Sequence, residues 1–205
     1  LRVVVQINFV AFDGSSYDVR VVEFVRACSD VEFYGCNILA STTATVSASA
    51  AVYKAPSSGN LNNVRFIKNF VEGGYYGFYM YAGTGTSSFG RNIVVDSNMI
   101  INSYYYNSYF YYTIFESYSH NTILSRTSNN TTTWYGMYSY YCSYRIADGN
   151  KIRQRNTAIT TPHGILANYS SYSNYVLDTS TFINNEVVLI HSTGTSYGMS
   201  VTYST

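Results

Sequence analysis

Charge is what this chain has least of. Only 11% of its residues are charged, 12 Lys and Arg against 11 Asp and Glu, and the formal net charge is +1; about 25% is ordinary for a soluble chain. Near-neutrality removes the basic footprint that nucleic acid requires, so no nucleic-acid partner is expected. The high-charge, low-apolar signature of disorder is missing too. Long apolar runs are also lacking: the stretch from Val3 to Phe12 is broken by Gln6 and Asn8, well short of the ~18 residues of a membrane span. No transmembrane segment is present. No window of ten or more residues holds a 3.6-residue apolar period between caps, which leaves essentially no α-helix. Three cysteines, Cys28, Cys36 and Cys142, cannot all pair and read as small buried residues.

Tyrosine and small polar residues fill the space. There are 24 Tyr, 27 Ser, 20 Thr and 19 Asn in 205 residues, a composition that favours strands and turns. One short pattern keeps returning: an apolar or small residue, two others, Asn, one other, an apolar residue. It places Asn37, Asn69, Asn98, Asn121, Asn150 and Asn185 on a common frame, with spacings of 32, 29, 23, 29 and 35 residues. A second element shares the period, an aromatic or His followed by Gly and then alternating strand residues: Tyr76-Gly77, Tyr135-Gly136, His163-Gly164 and Tyr197-Gly198. A copy without Gly lies around Ser108 to Tyr112, its inward register open.

Recurrence of one Asn per ~30 residues points to a coil rather than a sandwich. In a parallel coil each turn stacks on its equivalent about 4.8 Å away and identical residues meet. Stacked Asn amides can then bond along a ladder, and Asn tolerates the left-handed backbone of a sharp bend. The expectation is an all-β, right-handed parallel β-helix, a single segment over residues 1–205 of about seven coils. Strands are expected at Leu1 to Val5 and at Val201 to Tyr203, with no polar cap at either end. Neighbouring coils or a capping partner are therefore expected at both ends, and the stretch reads as a mature segment or a fragment of a longer chain.

The run Cys28 to Ile38 and the Tyr-Gly-apolar-Tyr-apolar-Tyr strands resemble the parallel β-helix repeat proteins of the pectate-lyase-like superfamily. They resemble most the Tyr/Asn-rich secreted or surface repeat proteins of Bacteroidota. The resemblance implies the fold and a secreted or cell-surface location. It leaves activity open, because such folds carry lyases, hydrolases, epimerases, tailspikes and adhesins. Lyases of this kind hold calcium with several acidic residues on one strand face and use an Arg or Lys as base. Here the acidic residues are scattered, and no metal or cofactor site is expected. The hydrolases' paired aspartates are absent, and Pro162-His163-Gly164 is a partial echo of their Gly-His-Gly turn.

Catalysis is accordingly not expected. The weak candidates are His163, more simply an occupant of the aromatic slot before Gly, and Lys151 and Arg153 in the basic stretch Arg145 to Arg155, more simply the solvent side of a strand. His120 and His191 read as solvated. Asn129 and Asn168 begin glycosylation-acceptor patterns, relevant only in a eukaryotic secretory pathway. With Phe78, Met80, Met137, Ile165, Met199 and Val201 inward, alternation places Tyr79, Tyr81, Tyr138 and Tyr140 outward in two columns. Such columns offer flat ring faces to a glycan or to another surface protein. They also stabilise a sheet directly, the commoner role of such pairs. Two functions remain: a non-catalytic secreted or cell-surface display or adhesion scaffold, or a polysaccharide lyase, hydrolase or epimerase acting on an acidic polysaccharide.

Overall fold

In the computed structural model the described residues are 8–10, 20–85, 87–128, 131–168 and 179–202, with side chains from residue 20 onward. The expected strands at Leu1 to Val5 and at Tyr203, and Asn129, lie outside them. Regular structure among the described residues is entirely β, and the strands pair in parallel with their equivalents one coil away. The chain is a parallel β-solenoid of about five turns, against the seven expected; two of its walls stack seven strands, but the third wall of the coil repeats fewer times.

Three flat walls make up each turn. The narrowest stacks seven three-residue strands: Asn8–Val10, Asn37–Leu39, Phe70–Glu72, Met99–Ile101, Thr122–Leu124, Lys151–Arg153 and Glu186–Val188. The second stacks Arg20–Phe24, Ala50–Lys54, Tyr76–Tyr81, the first half of Tyr106–Ser119, Thr133–Tyr144, Thr161–Asn168 and Tyr197–Val201. The third holds Cys28–Tyr34, Leu61–Ile67 and Gly90–Asp96, and is continued by the second half of Tyr106–Ser119. That 14-residue strand turns the corner between the last two walls without a break.

Inside, one residue type recurs at each height. Ile38, Val71, Ile100, Ile123 and Ile152 are 0–1% exposed and lie in register. Phe33 stacks on Phe66 at 4.9 Å and Phe115 on Tyr144 at 4.7 Å. The Gly of the strand motif is demanded by close approach, since a Cβ at Gly164 would lie 2.3 Å from Val187 Cγ1 and 2.4 Å from the Gly198 carbonyl. Phe78, Met80, Met137 and Ile165 point inward as expected. Met199 lies in register with Ile165, yet it is 46% exposed and Val201 44%, because no further described strand stacks on them.

The asparagine ladder is real but begins one residue earlier than the pattern suggests. Asn69, Asn98, Asn121 and Asn150 each donate from Nδ2 to the next ladder residue: Asn69 to Asn98 Oδ1 at 3.0 Å, and Asn150 to Asn185 Oδ1 at 2.8 Å. The same oxygens accept the backbone N–H one coil back, and the second Nδ2 hydrogen meets a backbone carbonyl, so the amides are saturated. In the first coil the ladder slot is filled by Cys36, whose N–H donates to Asn69 Oδ1 at 2.9 Å. Asn37 instead faces Phe70. The inward Ile38, not the Asn, keeps the frame there. A second correction concerns the bend: the left-handed residue is the one before the ladder position, Gly35, Lys68, Ser97, His120, Gly149 and Asn184, with φ between 52° and 64°. The ladder Asn supplies the side chain and its neighbour the backbone.

Candidate functional site

The second wall carries the aromatic surface. Strict register turns its outward positions into straight columns: Tyr53, Tyr79, Tyr109, Tyr138; Tyr81, Tyr111, Tyr140; and Tyr76, Tyr106, Tyr135, His163, Tyr197. Within the first column successive ring centroids are 5.0, 5.2 and 5.3 Å apart, with planes tilted by only 8°, 5° and 9°. The second column has spacings of 4.5 and 5.1 Å. Adjacent columns touch edge-on, as Tyr76 does Tyr79 at 4.8 Å. All four predicted tyrosines, Tyr79, Tyr81, Tyr138 and Tyr140, are brought together here.

The sequence reading missed Tyr53, Tyr109 and Tyr111. Asn107 hid the register of the last two, because it occupies the slot that Gly77 and Gly136 fill in the adjacent coils. Its amide is held from inside: Nδ2 donates to the Ile100 carbonyl at 2.8 Å and Oδ1 accepts the Trp134 indole N–H at 2.7 Å.

Two consequences follow from ring parallelism. Mid-column ring faces are covered by each other, so solvent meets rims and hydroxyls rather than the flat faces expected from the sequence. Below the first column, Tyr53 is capped by the Arg20 guanidinium 3.7 Å from its centroid. Half-burial, aided by neighbouring phenols, raises Tyr76 to about 12. Burial first, then neighbouring phenols, raises Tyr106 and Tyr109 further still. These phenols stay protonated hydrogen-bond donors throughout the ordinary pH range.

At the edge of this surface the backbone is unusual. Tyr112 and Tyr141 adopt φ of 49° and 51° and stack at 5.4 Å with planes 7° apart. A bulky side chain in the left-handed region is unfavourable by roughly 1 kcal/mol or more, where Gly or Asn would not be. Tyrosine at this corner extends the aromatic surface around the edge.

The weak catalytic candidates do not converge. His163 occupies the aromatic slot, stacked between Tyr135 at 4.6 Å and Tyr197 at 5.5 Å, with a buried Nδ1 that has no partner and a pKa lowered by burial. Lys151 and Arg153 lie exposed on the ladder wall, and Arg153 pairs with Glu186 at 2.6 Å. Arg145 pairs with Glu116 on the third wall at 3.1 Å. Arg155 turns inward, donating to the Ser125 carbonyl at 2.6 Å. His120 is exposed, 3.3 Å from Asp96, whereas the His191 N–H donates to Gln154 Oε1 at 3.1 Å. Among the described residues no group of three or more His, Cys, Asp and Glu side chains is placed to hold a metal ion, and no helix is long and apolar enough to cross a membrane.

Two buried cations escaped the sequence reading. Lys54 sits on an inward position, wholly buried, its Nζ donating to the Ala55 carbonyl at 2.8 Å. Arg126, 2% exposed, reaches across several coils to the carbonyls of Asn102 at 2.6 Å, Ala44 at 2.9 Å and Gly74 at 3.1 Å. The three cysteines are free thiols, Cys36 and Cys142 buried and Cys28 half-buried. No protein-family model, curated protein or solved structure matches the chain.

Proposed function

We propose that the chain is a rigid, non-catalytic module of a secreted or cell-surface protein, and that its tyrosine wall binds glycan. A pectate-lyase-like ancestry and a likeness to Tyr/Asn-rich repeat proteins of Bacteroidota are part of this reading; they rest on the sequence resemblance, and the coil length and Asn ladder support the parallel solenoid. The observation that carries it is the left-handed Tyr112 and Tyr141 pair. The two rings stack on each other at 5.4 Å, so the outward aromatic surface continues around the corner of the coil at a position where Gly or Asn would be unstrained. Tyrosine suits the task because it combines area with a polar tip and few rotatable bonds.

The test is retention of the protein on a panel of polysaccharides, soluble and insoluble, comparing wild type with a Tyr79→Ser/Tyr138→Ser double variant. The expected result is binding to at least one polymer and a marked loss in the variant with the β-rich circular dichroism intact. Binding to none, or unchanged binding by the variant, refutes the reading.

A further inference from the structure

Resting on that reading, we infer that the tyrosine wall recognises polysaccharide through a rigid planar grid of phenol hydroxyls, and that its ligand is the flat surface of an insoluble, crystalline polysaccharide rather than a soluble sugar chain.

The first step concerns which part of each ring is available. A sugar stacks on an aromatic residue by lying on its face, but Tyr79, Tyr109 and Tyr111 have an aromatic ring within 4.5–5.3 Å on both sides along the coil axis. No pyranose fits between rings at that spacing. The exposure left to these half-buried side chains lies at the rim, where the hydroxyl is.

Planarity is the second step. Neighbouring strands of an ordinary sheet are rotated by about 20–25°, and flat sheets depend on stacking or side-chain ladders. Successive rings tilt by 5–9° along the first column and by 15° and 24° along the second, so most of them turn by less than the strands of an ordinary sheet, in columns carried by the same coils as the Asn ladder. Phenol rims then repeat about every 5 Å along the axis, the stacking distance, and the Tyr79 and Tyr81 rings of one strand converge to 5.4 Å, close enough for their hydroxyls to hydrogen-bond each other. A single flexible chain gains little from such a grid: it has no groove to enclose it, and ordering it costs conformational entropy. A crystalline surface is already ordered, flat and periodic in hydroxyls, so many weak contacts form together without that cost.

The experiment compares microcrystalline cellulose and chitin with soluble cellohexaose and chitohexaose, using wild type and a Tyr79→Phe/Tyr109→Phe/Tyr138→Phe triple variant. Phe keeps every stack and deletes three hydroxyls from the centre of the grid. Depletion of wild type by an insoluble polymer, with no calorimetric signal for its hexasaccharide, is expected. The triple variant, with unchanged melting temperature, should lose roughly tenfold in partition coefficient, the size that three modest hydrogen bonds give. Equal binding of the hexasaccharide, or full retention of binding by the Phe variant, overturns this inference while leaving glycan binding in place. Failure of every polysaccharide, soluble or insoluble, overturns both.

Discussion

Lys54 offers the sharpest test of how this core is built. Its equivalents one coil away are Phe24 and Met80, so a charged group occupies a slot that its neighbours fill with apolar side chains. Desolvation lowers its pKa from 10.5 to about 8. At about 1.36 kcal/mol per pKa unit, that shift makes the protonated form roughly 3 kcal/mol unfavourable in the folded state. A folded pKa below the unfolded one means that the unfolded chain holds more protons between pH 8 and 10.5, so stability rises with pH through that window. Below pH 8 the full penalty applies; above 10.5 it is gone. Lys54→Met keeps the length of the side chain, matches Met80 and loses one hydrogen bond to Ala55, worth about 1 kcal/mol. The variant should therefore be about 2 kcal/mol more stable than wild type at pH 7, and this advantage should vanish between about pH 9 and 10 and turn into a deficit of about 1 kcal/mol above pH 10.5. Urea unfolding of both proteins at several pH values checks it, and the difference between them cancels the titration of the tyrosines. A variant less stable at pH 7, or a difference that does not shrink with pH, refutes the reasoning.

Asn121→Ala removes an amide that accepts two hydrogen bonds and donates two, leaving buried backbone groups unpaired at about 1–3 kcal/mol each; a loss of roughly 3 kcal/mol or more in urea unfolding is expected. Arg126→Met strands the carbonyls of Asn102, Ala44 and Gly74 at about 1–3 kcal/mol each and should destabilise by about 3 kcal/mol or more, with earlier proteolytic cutting in the segment around Ala44. Tyr76, Tyr106 and Tyr109 have folded pKa values raised above 10, by burial first and then by neighbouring phenols. They contribute stability that is complete below pH 10 and is lost as pH rises through the raised values. Spectrophotometric titration should show a fraction of the phenolate appearing late and together with unfolding; complete titration of every tyrosine near 10 in a folded chain would contradict this.

The period and the wall structure were legible because a solenoid repeats its inward residues, and Ile38, Val71, Ile100, Ile123 and Ile152 carry the frame even where the Asn pattern slips. The slip at Asn37 was not legible, since Cys36 can take the ladder position only through its backbone N–H. Nor was the register of Tyr109 and Tyr111. There Asn107 replaces a glycine and is made tolerable by Trp134, 27 residues further along, a compensation with no local signature. Arg126 was invisible for a related reason: its partners are backbone carbonyls, which every residue has. Ring orientation also lay beyond the sequence. Alternation places a tyrosine outward, but whether it shows its face or its rim depends on what stacks one coil away.

The scarcity of charge can be understood at the same level. In a register this strict a charged residue meets whatever stands one coil above and below, and like charges directly opposite are destabilising. Several charged residues face uncharged ones, as Lys54 faces Phe24 and Met80, and where two charges do meet their signs are opposite. Glu32 faces Arg65 and lies 3.3 Å from it. Lys151 faces Glu186, which bonds Arg153, and Glu116 meets Arg145 one coil on. These exposed pairs contribute little individually; what they show is that charges brought together by the register are of opposite sign. Repetition of one uncharged residue needs no such arrangement. A tyrosine, an asparagine or an isoleucine can stand above its own kind indefinitely, and each of the three does so, on the outer wall, in the ladder and in the core. The binding surface and the fold thus draw on the same property of the chain, because the register that stacks the core also aligns the rings.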